Sequence, residues 1–357
     1  MKTRHAIVIG AGLGGLSSAA YLSKNGFKVD VFERNPHPGG YACSFVRGRF
    51  EFEAALHELS GIGPPDNRGG CYKVLEGCDV TRRVEFLPID DFYTSIFPDF
   101  TRTIPHGWEA AEEAYCEQFP AERKGISRLM KQMRQLMREI SLLSKASSPL
   151  DMLTFPVKGS HLIGSMGLTT AQALNREISD PKLKALFCDI WGYYGLPPSR
   201  LSWQLFAVAN ASYIEHGPYH VKGTSQALSN AFVAAIEENG GKVHLRNGVK
   251  KIKVAGGKVT GVVTDEGETV NASYIVSNAN PITACYDLIG KENVPASYLK
   301  ALAEGHVAIS TYNVYMGWTA LPRTSAQPAT STSCTTPTTW TPTTARCSRP
   351  TSSSTGC

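Results

Sequence analysis

Residues 6–33 constrain the fold most strongly, because they predict a strand, a glycine turn, a helix and a second strand in succession. Residues 6–9 form an apolar run without polar alternation, which is typical of a parallel strand buried on both faces. Gly10, Gly12 and Gly15 follow at G-x-G-x-x-G spacing. This spacing suits a tight turn, close approach of the backbone to a pyrophosphate, and close packing of helix on strand. We therefore predict a dinucleotide-binding unit.

The helix and strand that follow the turn support this prediction. Apolar residues recur at helical spacing from Leu16, and Gly26 suits a left-handed helix stop. The helix N-terminus then points at the glycine turn, where its amides and dipole favour phosphate, and Gly14 belongs to the same turn. Glu33 ends the next strand, where an acidic residue binds the hydroxyls of a ribose.

The residues after Glu33 bear on the identity of the dinucleotide, because the same unit serves NAD and FAD. The chain continues with Arg34 and a second glycine pair, Gly39 and Gly40. This run resembles the FAD signature of the phytoene desaturase, amine oxidase and related flavoproteins. The resemblance implies an FAD cofactor, with these three residues at its site. Taken alone, the glycine pair is also consistent with an ordinary turn after two prolines.

Residues 50–57 narrow the resemblance further. Their F-x-F-E sequence and His57 resemble the retinol saturase, carotenoid isomerase and bacterial phytoene desaturase branch, in which this segment runs beside the flavin. Ala54 and Ala55 depart from the pattern, because those relatives carry a small residue and a glycine there. His57 is a candidate proton donor, and a structural histidine is the alternative. The catalytic residues are otherwise unknown.

Two later segments also resemble this branch. Residues 217–228 resemble a P-x-G-G-S-Q-A-L run that leads back to the cofactor, with Thr224 in place of the second glycine. We expect Thr224 or Ser225 to cap the helix that follows. The resemblance further implies that Val249 meets the adenine through its backbone, and that Asn278 lies near the cofactor in a V-S-N-A-like run.

The resemblance implies an α/β fold, with a discontinuous Rossmann-type FAD-binding domain and an inserted α+β substrate domain. We expect these boundaries: 1–65 for the first part of the FAD-binding domain, 66–220 for the substrate-binding domain, 221–290 for the second part of the FAD-binding domain, 291–319 for the start of the return to the substrate domain, and 320–357 for an aberrant or disordered tail.

The tail differs from the rest of the chain in composition. It is rich in Ser, Thr and Pro and contains no acid and no lysine. A natural disordered segment is one interpretation. The other is a reading-frame slip, which would truncate the chain before the segment that reaches the flavin in relatives. The encoding nucleotide sequence distinguishes the two.

Composition excludes several other classes. A net charge of +5 with 42% hydrophobic and 19% charged residues is ordinary for a globular protein and does not imply nucleic acid. The nine cysteines form no C-x-x-C pair, so we expect reduced thiols and no metal. We see neither a signal peptide nor an apolar run of about 18 residues that would span a membrane, and we expect a cytoplasmic protein.

One segment suggests a peripheral contact with membranes. Residues 126–144 predict an amphipathic helix with a methionine-rich apolar face. Its other face carries Arg128, Lys131, Arg134 and Arg138. The basic face suits anionic lipid, and the methionine face suits an apolar ligand or acyl chains. The alternative is a helix that packs on the core and exposes its basic face to water.

The resemblance implies redox chemistry on a hydrophobic conjugated polyene of the carotenoid or retinoid type. Desaturation, saturation and isomerisation all stay open. A flavin carries the hydride chemistry itself, so the protein has only to place the ring beside an apolar substrate and exclude water. Two alternatives are an NAD-dependent dehydrogenase and a truncated flavoprotein that binds nucleotide weakly and turns nothing over.

Overall fold

The computed structural model describes residues 4–145, 148–305, 307–317 and 332–334. The strands are β1 (His5–Ile9), β2 (Lys28–Phe32), β3 (Ser44–Arg47), β4 (Phe50–Glu53), β5 (Phe86–Pro88), β6 (Asp91–Ile96), β7 (Thr101–Pro105), β8 (Tyr219–Val221), β9 (Lys242–His244), β10 (Val249–Ala255), β11 (Lys258–Thr264), β12 (Thr269–Asn271), β13 (Tyr274–Ser277) and β14 (Thr332–Cys334). The expected tail at 320–357 lies outside the described residues, apart from β14.

The α-helices are α1 (Leu13–Lys24), α2 (Gly70–Gly77), α3 (Trp108–Gln118), α4 (Arg123–Lys145), α5 (Pro149–Lys158), α6 (Ser160–Gly164), α7 (Thr170–Glu177), α8 (Pro181–Cys188), α9 (Trp203–His216), α10 (Thr224–Glu238), α11 (Pro281–Thr283) and α12 (Ala296–Glu304). A π-helical turn at Ala284–Leu288 continues α11. Short 3₁₀ turns occupy Pro120–Glu122, Asp189–Tyr194 and Lys291–Asn293.

A four-stranded parallel sheet in the order β13, β1, β2, β9 contains the predicted dinucleotide-binding unit. In β1, Ile7 pairs with Ile275 on one side and with Asp30 on the other. Strands β1 and β2 come from the start of the chain, and β9 and β13 come from residues 242–277. The mixed α/β fold with a sequence-discontinuous parallel sheet is therefore confirmed.

The sheet is covered on both faces, which explains why β1 lacks polar alternation. Val8 belongs to a buried cluster with Leu16 of α1 and Phe232 of α10. Ile7, which points to the opposite face, belongs to a second cluster with Ile252 of β10. Helices thus lie on one face and the antiparallel sheet β10–β11–β12 lies on the other. This layering leaves the carboxyl ends of the parallel strands open to a ligand.

The chain forms two compact units, one of residues 1–94, 103–114 and 209–331, and the other of residues 95–102, 115–208 and 332–357. The first unit contains the parallel sheet, and the second contains helices α4 to α8. The domain boundaries that we expect from the sequence stay a prediction, because they concern which segments hold the cofactor and which hold the substrate.

Helix α4 contains the predicted amphipathic segment. Its methionine-rich face is buried in the core of the second unit, at Ile126, Leu129, Met130, Met133 and Leu136. This face therefore packs on the protein core and is not open to acyl chains. The expectation of a methionine face open to lipid is wrong, and the alternative of a helix packed on the core is correct. On the other side, Arg128 Nε lies 2.5 Å from Glu177 Oε2, while Lys131 and Arg138 are exposed. Only the basic face is left for contact with a membrane, and that contact stays a prediction.

Candidate functional site

A cavity of about 810 Å³ lies in the first unit at the carboxyl ends of the parallel strands. Its lining includes residues that the sequence predicts for the cofactor, namely Gly10, Gly12, Glu33, Arg34, Gly39, Gly40, Val249 and Asn278. These residues come from four separate stretches of the chain. The topology brings the stretches together, because parallel strands end at the same edge of a sheet.

The first glycine turn forms one wall of the cavity. Gly10 has a φ of 91°, a left-handed value that favours glycine, and its amide donates to the Phe32 carbonyl at 2.8 Å. Helix α1 begins just after Gly12, which makes no side-chain capping hydrogen bond, and the first turn of the helix contains no acidic residue. The free N–H groups of a helix start suit an anion such as phosphate.

The predicted residues Gly14 and Gly15 are not among the residues that line the cavity. A Cβ atom on Gly14 would lie 2.8 Å from Nδ2 of Asn278, and one on Gly12 would lie 2.8 Å from its Oδ1. The Asn278 side chain therefore lies directly on the glycine turn. Its backbone amide donates to the Ile9 carbonyl at 2.8 Å, which fixes the end of β13 beside the end of β1.

Glu33 is a buried carboxylate at the end of β2, with 6% of its surface exposed. Its Oε2 accepts from the Ala11 amide at 2.7 Å, and its Oε1 accepts from the Asn35 amide at 2.8 Å. Each carboxylate oxygen accepts more than one hydrogen bond, so capacity for ligand hydroxyls remains. Glu33 thus fixes the glycine turn to the second strand and also contributes to the lining of the cavity.

The second glycine pair packs on the first turn. The amide of Gly39 donates to the Ala11 carbonyl at 2.7 Å, and a Cβ atom on Gly40 would lie 3.2 Å from the Cα of Gly12. Both glycines of the pair have left-handed φ values, 117° and 62°. A larger residue at either position would therefore be strained and would separate the two turns.

The structure adds residues that no sequence motif indicated. Asp265 lines the cavity beside Gly248, whose amide donates to Asp265 Oδ2 at 3.1 Å. Asn280 lines it just before α11, and Thr283 lines it as the last residue of that helix. In the sequence, these three residues are distinguished only by lying near a turn or near the V-S-N-A-like run. Such turns are common outside binding sites, so the sequence did not indicate a role for them.

His57 lies in a separate small cavity of about 20 Å³, and the structure does not bring it together with the cofactor candidates. Glu53, Glu58, His220 and Ser225 also line this small cavity. Burial raises the pKa of Glu58 from 4.5 to about 7. Burial in the fold therefore changes the ionisation of the acid next to His57.

The model of the family "Flavin containing amine oxidoreductase" matches residues 13–312. The chain belongs to the flavin-containing amine oxidoreductase family. This membership agrees with the glycine turn, the buried acid and the second glycine pair around one cavity, and it confirms the flavoprotein family that the sequence resembles.

Relatives within this family include carotenoid enzymes. The chain is 27% identical to a 4,4'-diapophytoene desaturase (4,4'-diapolycopene-forming) of Methylomonas sp, across 88% of this chain and 61% of the relative. It is 28% identical to a phytoene dehydrogenase of Streptomyces griseus, across 80% of this chain and 56% of the relative. The chain thus spans less than two thirds of the length of these relatives.

Solved structures of low sequence identity share the fold. An oxidoreductase from Methanosarcina mazei is 22% identical with a TM-score of 0.63, across 84% of this chain and 65% of that one. A putrescine oxidase is 17% identical with a TM-score of 0.55, across 81% of this chain and 60% of that one. The likeness supports the fold. Among the residues that the structure describes, no helix has the length and apolar character needed to cross a bilayer.

Proposed function

We propose that this chain binds FAD in the 810 Å³ cavity and acts as an FAD-dependent oxidoreductase on a hydrophobic conjugated polyene of the carotenoid or retinoid type. The observation that carries the proposal is the convergence of four separate stretches on one cavity in a chain of a flavin-containing family. The names of the relatives, a diapophytoene desaturase and a phytoene dehydrogenase, support the polyene substrate class.

The residues around the cavity fit the ADP half of FAD. Gly10, Gly12 and the N-terminus of α1 suit the pyrophosphate, because glycine has no Cβ atom to obstruct the backbone there. Glu33 suits the ribose hydroxyls through its remaining acceptor capacity. We assign Arg34 and the backbone of Val249 to the adenine. When bound, FAD supplies hydride transfer.

The remaining cofactor candidates shape this half of the cavity. Gly39 and Gly40 hold the two glycine turns together, and the Asn278 amide group, which both donates and accepts, covers the first turn. The protein's own contribution is therefore to bind and orient the nucleotide. We assign no proton-transfer role, because His57 and Glu58 line a different cavity.

The nearest alternative is an NAD-dependent dehydrogenase built on the same βαβ unit. The second glycine pair and the family membership favour FAD over NAD. A third candidate is a chain that binds nucleotide weakly and turns nothing over.

Titration of the purified chain with FAD, FMN and NAD distinguishes these candidates. We expect quenching of flavin fluorescence with FAD, weaker binding of FMN because it lacks the ADP half, and displacement of FAD by ADP. Binding of NAD but not FAD would favour the dehydrogenase. No FAD binding at millimolar concentration would overturn the proposal. Anaerobic incubation of the FAD-loaded chain with phytoene-like and retinol-like substrates then tests turnover.

We further propose peripheral contact with an anionic membrane through the basic face of α4, at the surface of a cytoplasmic protein. Lys131 and Arg138 are exposed on that face, and lysines and arginines on a helix surface are attracted to anionic lipid. Flotation with phosphatidylglycerol vesicles in low salt tests this. We expect a K131E/R138E variant to lose flotation and a K258E control in the first unit to keep it. Equal flotation of the wild type, the K131E/R138E variant and the K258E control would contradict the proposed membrane contact.

A further inference from the structure

The start of helix α10 has an unusual cap. The residue before it is Gly223, which has no side chain, and no side chain of the helix itself closes the first turn. The Ser225 amide instead donates to Oε1 of Glu53 at 2.6 Å, and the Ser225 hydroxyl donates to Oε2 of the same carboxylate. Glu53 therefore caps α10 from β4, more than 170 residues earlier in the chain. A carboxylate at this position satisfies free N–H groups and complements the helix dipole.

The expectation that Thr224 or Ser225 caps α10 is thus wrong. Thr224 is the first helical residue and has a φ of 71°. A left-handed conformation is costly for a β-branched residue and persists only where surrounding contacts fix it. Two contacts fix Thr224 in this way. The neighbouring residue Ser225 bonds to Glu53. The Oγ1 atom of Thr224 also lies 3.4 Å from Oγ of Ser44.

The first two turns of α10 also hold the loop at 38–44. The Ser229 hydroxyl is fully buried and donates to the Ala42 carbonyl at 2.6 Å. The Gln226 amide group donates to the Pro38 carbonyl at 3.3 Å. A Cβ atom on Gly39 would lie 2.5 Å from Ser229 Oγ, so helix and loop are in direct contact there.

This loop carries the second glycine pair to the cavity. The Gly39 amide donates to the Ala11 carbonyl, and Gly40 packs on Gly12, so the loop joins α10 on one side to the first glycine turn on the other. We propose that Glu53 and Ser225 are positioning residues for the cofactor cavity, and that they act by fixing α10 against the loop at 38–44. The inference rests on the proposed function, because it assigns the residues that support the same site.

A purely structural cap is the competing explanation, and it predicts a different result. A structural cap would lower the melting temperature of the chain without changing the FAD affinity of the molecules that are folded. A positioning pair changes the affinity, and it changes the mobility of the glycine pair in the folded chain. The test therefore measures both quantities under conditions in which circular dichroism shows each variant to be folded.

The variants are Glu53→Ala, Glu53→Gln and Ser225→Ala, with Glu51→Gln as the matched control on the same strand. Glu51 is an exposed acid of β4 that bonds to Ser44 and not to α10. Glu53→Gln keeps an oxygen that accepts from the Ser225 amide. We expect Glu53→Ala to weaken FAD binding about tenfold, Glu53→Gln to restore most of it, and the control to match the wild type. Ser225→Ala removes the hydroxyl hydrogen bond to Glu53 but keeps the hydrogen bond from the Ser225 amide. This milder variant replaces Glu53→Ala in the test if Glu53→Ala does not fold.

Hydrogen exchange of the chain without flavin gives a second measurement. The Gly39 and Ala42 amides are both donors to backbone carbonyls, so they are protected in the wild type. We expect their exchange to become at least fivefold faster in Glu53→Ala and to stay unchanged in Glu51→Gln. If neither amide exchanges faster and FAD affinity is equal, the positioning role is overturned. If the wild type binds no FAD, the proposed function fails, and the exchange rates still decide this inference.

Discussion

The carbonyl oxygen of Gly10 lies 2.0 Å from the point that a Cβ atom of Gly15 would occupy. The third glycine of the motif therefore serves the packing of α1 on the turn after β1, and it does not contact the cavity. Helix α1 approaches the turn closely enough for its first amides to face a ligand only because position 15 has no side chain.

We expect Gly15→Ala to lower the free energy of unfolding by about 2 to 4 kcal/mol, because the added methyl group would displace backbone and not a flexible side chain. Gly77→Ala in α2 is the matched control. No atom lies within 4 Å of its added Cβ, so its effect should stay within about 1 kcal/mol and be neutral or stabilising. Urea denaturation measures both, and equal stability of the two variants would contradict the packing argument.

Thr224→Gly should stabilise the chain by about 0.5 to 1 kcal/mol. Glycine adopts the observed φ of 71° without the steric cost that a β-branched residue incurs. Ala234→Gly, at an exposed position in the middle of the same helix, is the control and should destabilise by about 1 kcal/mol. Thermal unfolding of the two variants gives shifts of opposite sign. A loss of stability in both would show that Thr224 is not strained.

Glu33→Gln should weaken ADP binding about tenfold, which corresponds to about 1.4 kcal/mol. The substitution removes the charge and presents an amide N–H₂ to the amide of Ala11 or Asn35, which are themselves donors. Titration calorimetry with ADP measures the effect. Glu237→Gln, on the exposed side of α10, should bind ADP as the wild type does. Unchanged affinity in Glu33→Gln would exclude the carboxylate from the ribose site.

The stability of the chain should fall as the pH rises from about 4.5 to 7, in part because of Glu58. Burial raises the pKa of Glu58 in the folded chain to about 7, so the folded state keeps a proton that the unfolded state has already released. Above the folded pKa the full cost of ionisation is present. Glu58→Gln mimics the protonated form and should remove this part of the pH dependence.

At pH 8 we expect Glu58→Gln to be more stable than the wild type by about 1 to 2 kcal/mol, a value reduced for the partial exposure of the carboxyl group. At pH 4 the two chains should be equally stable, because both carry a neutral group there. Urea denaturation across this range measures the difference. Glu76→Gln in α2, an exposed acid, is the control and should leave the pH profile unchanged. A constant difference between Glu58→Gln and wild type at every pH would contradict the raised pKa.

The local requirements of the backbone made part of this protein predictable. Positive φ at Gly10 and at Gly26, an apolar run over residues 6–9 and an acid at the end of β2 each depend on nearby residues, so they leave a pattern in the sequence. The parallel order of β1 and β2 follows from the helix between them. These features predicted the fold class, and the resemblance of residues 34–40 and 50–57 to known flavoproteins predicted the family.

Contacts between distant segments decided the rest. The sequence predicts a cap from Thr224 or Ser225, but Glu53 of another strand provides it. Asp265 joins the cavity only because β10 and β11 pair beside the end of β2, and His57 lies elsewhere.

The surroundings of the methionine face of α4 also could not be predicted from the sequence. Amphipathic periodicity indicates that one face is apolar and does not indicate whether protein or lipid covers it. The sequence determined which local conformations were available, and the tertiary structure determined which side chains meet, because a long-range contact depends on the packing of whole elements and has no fixed spacing along the chain.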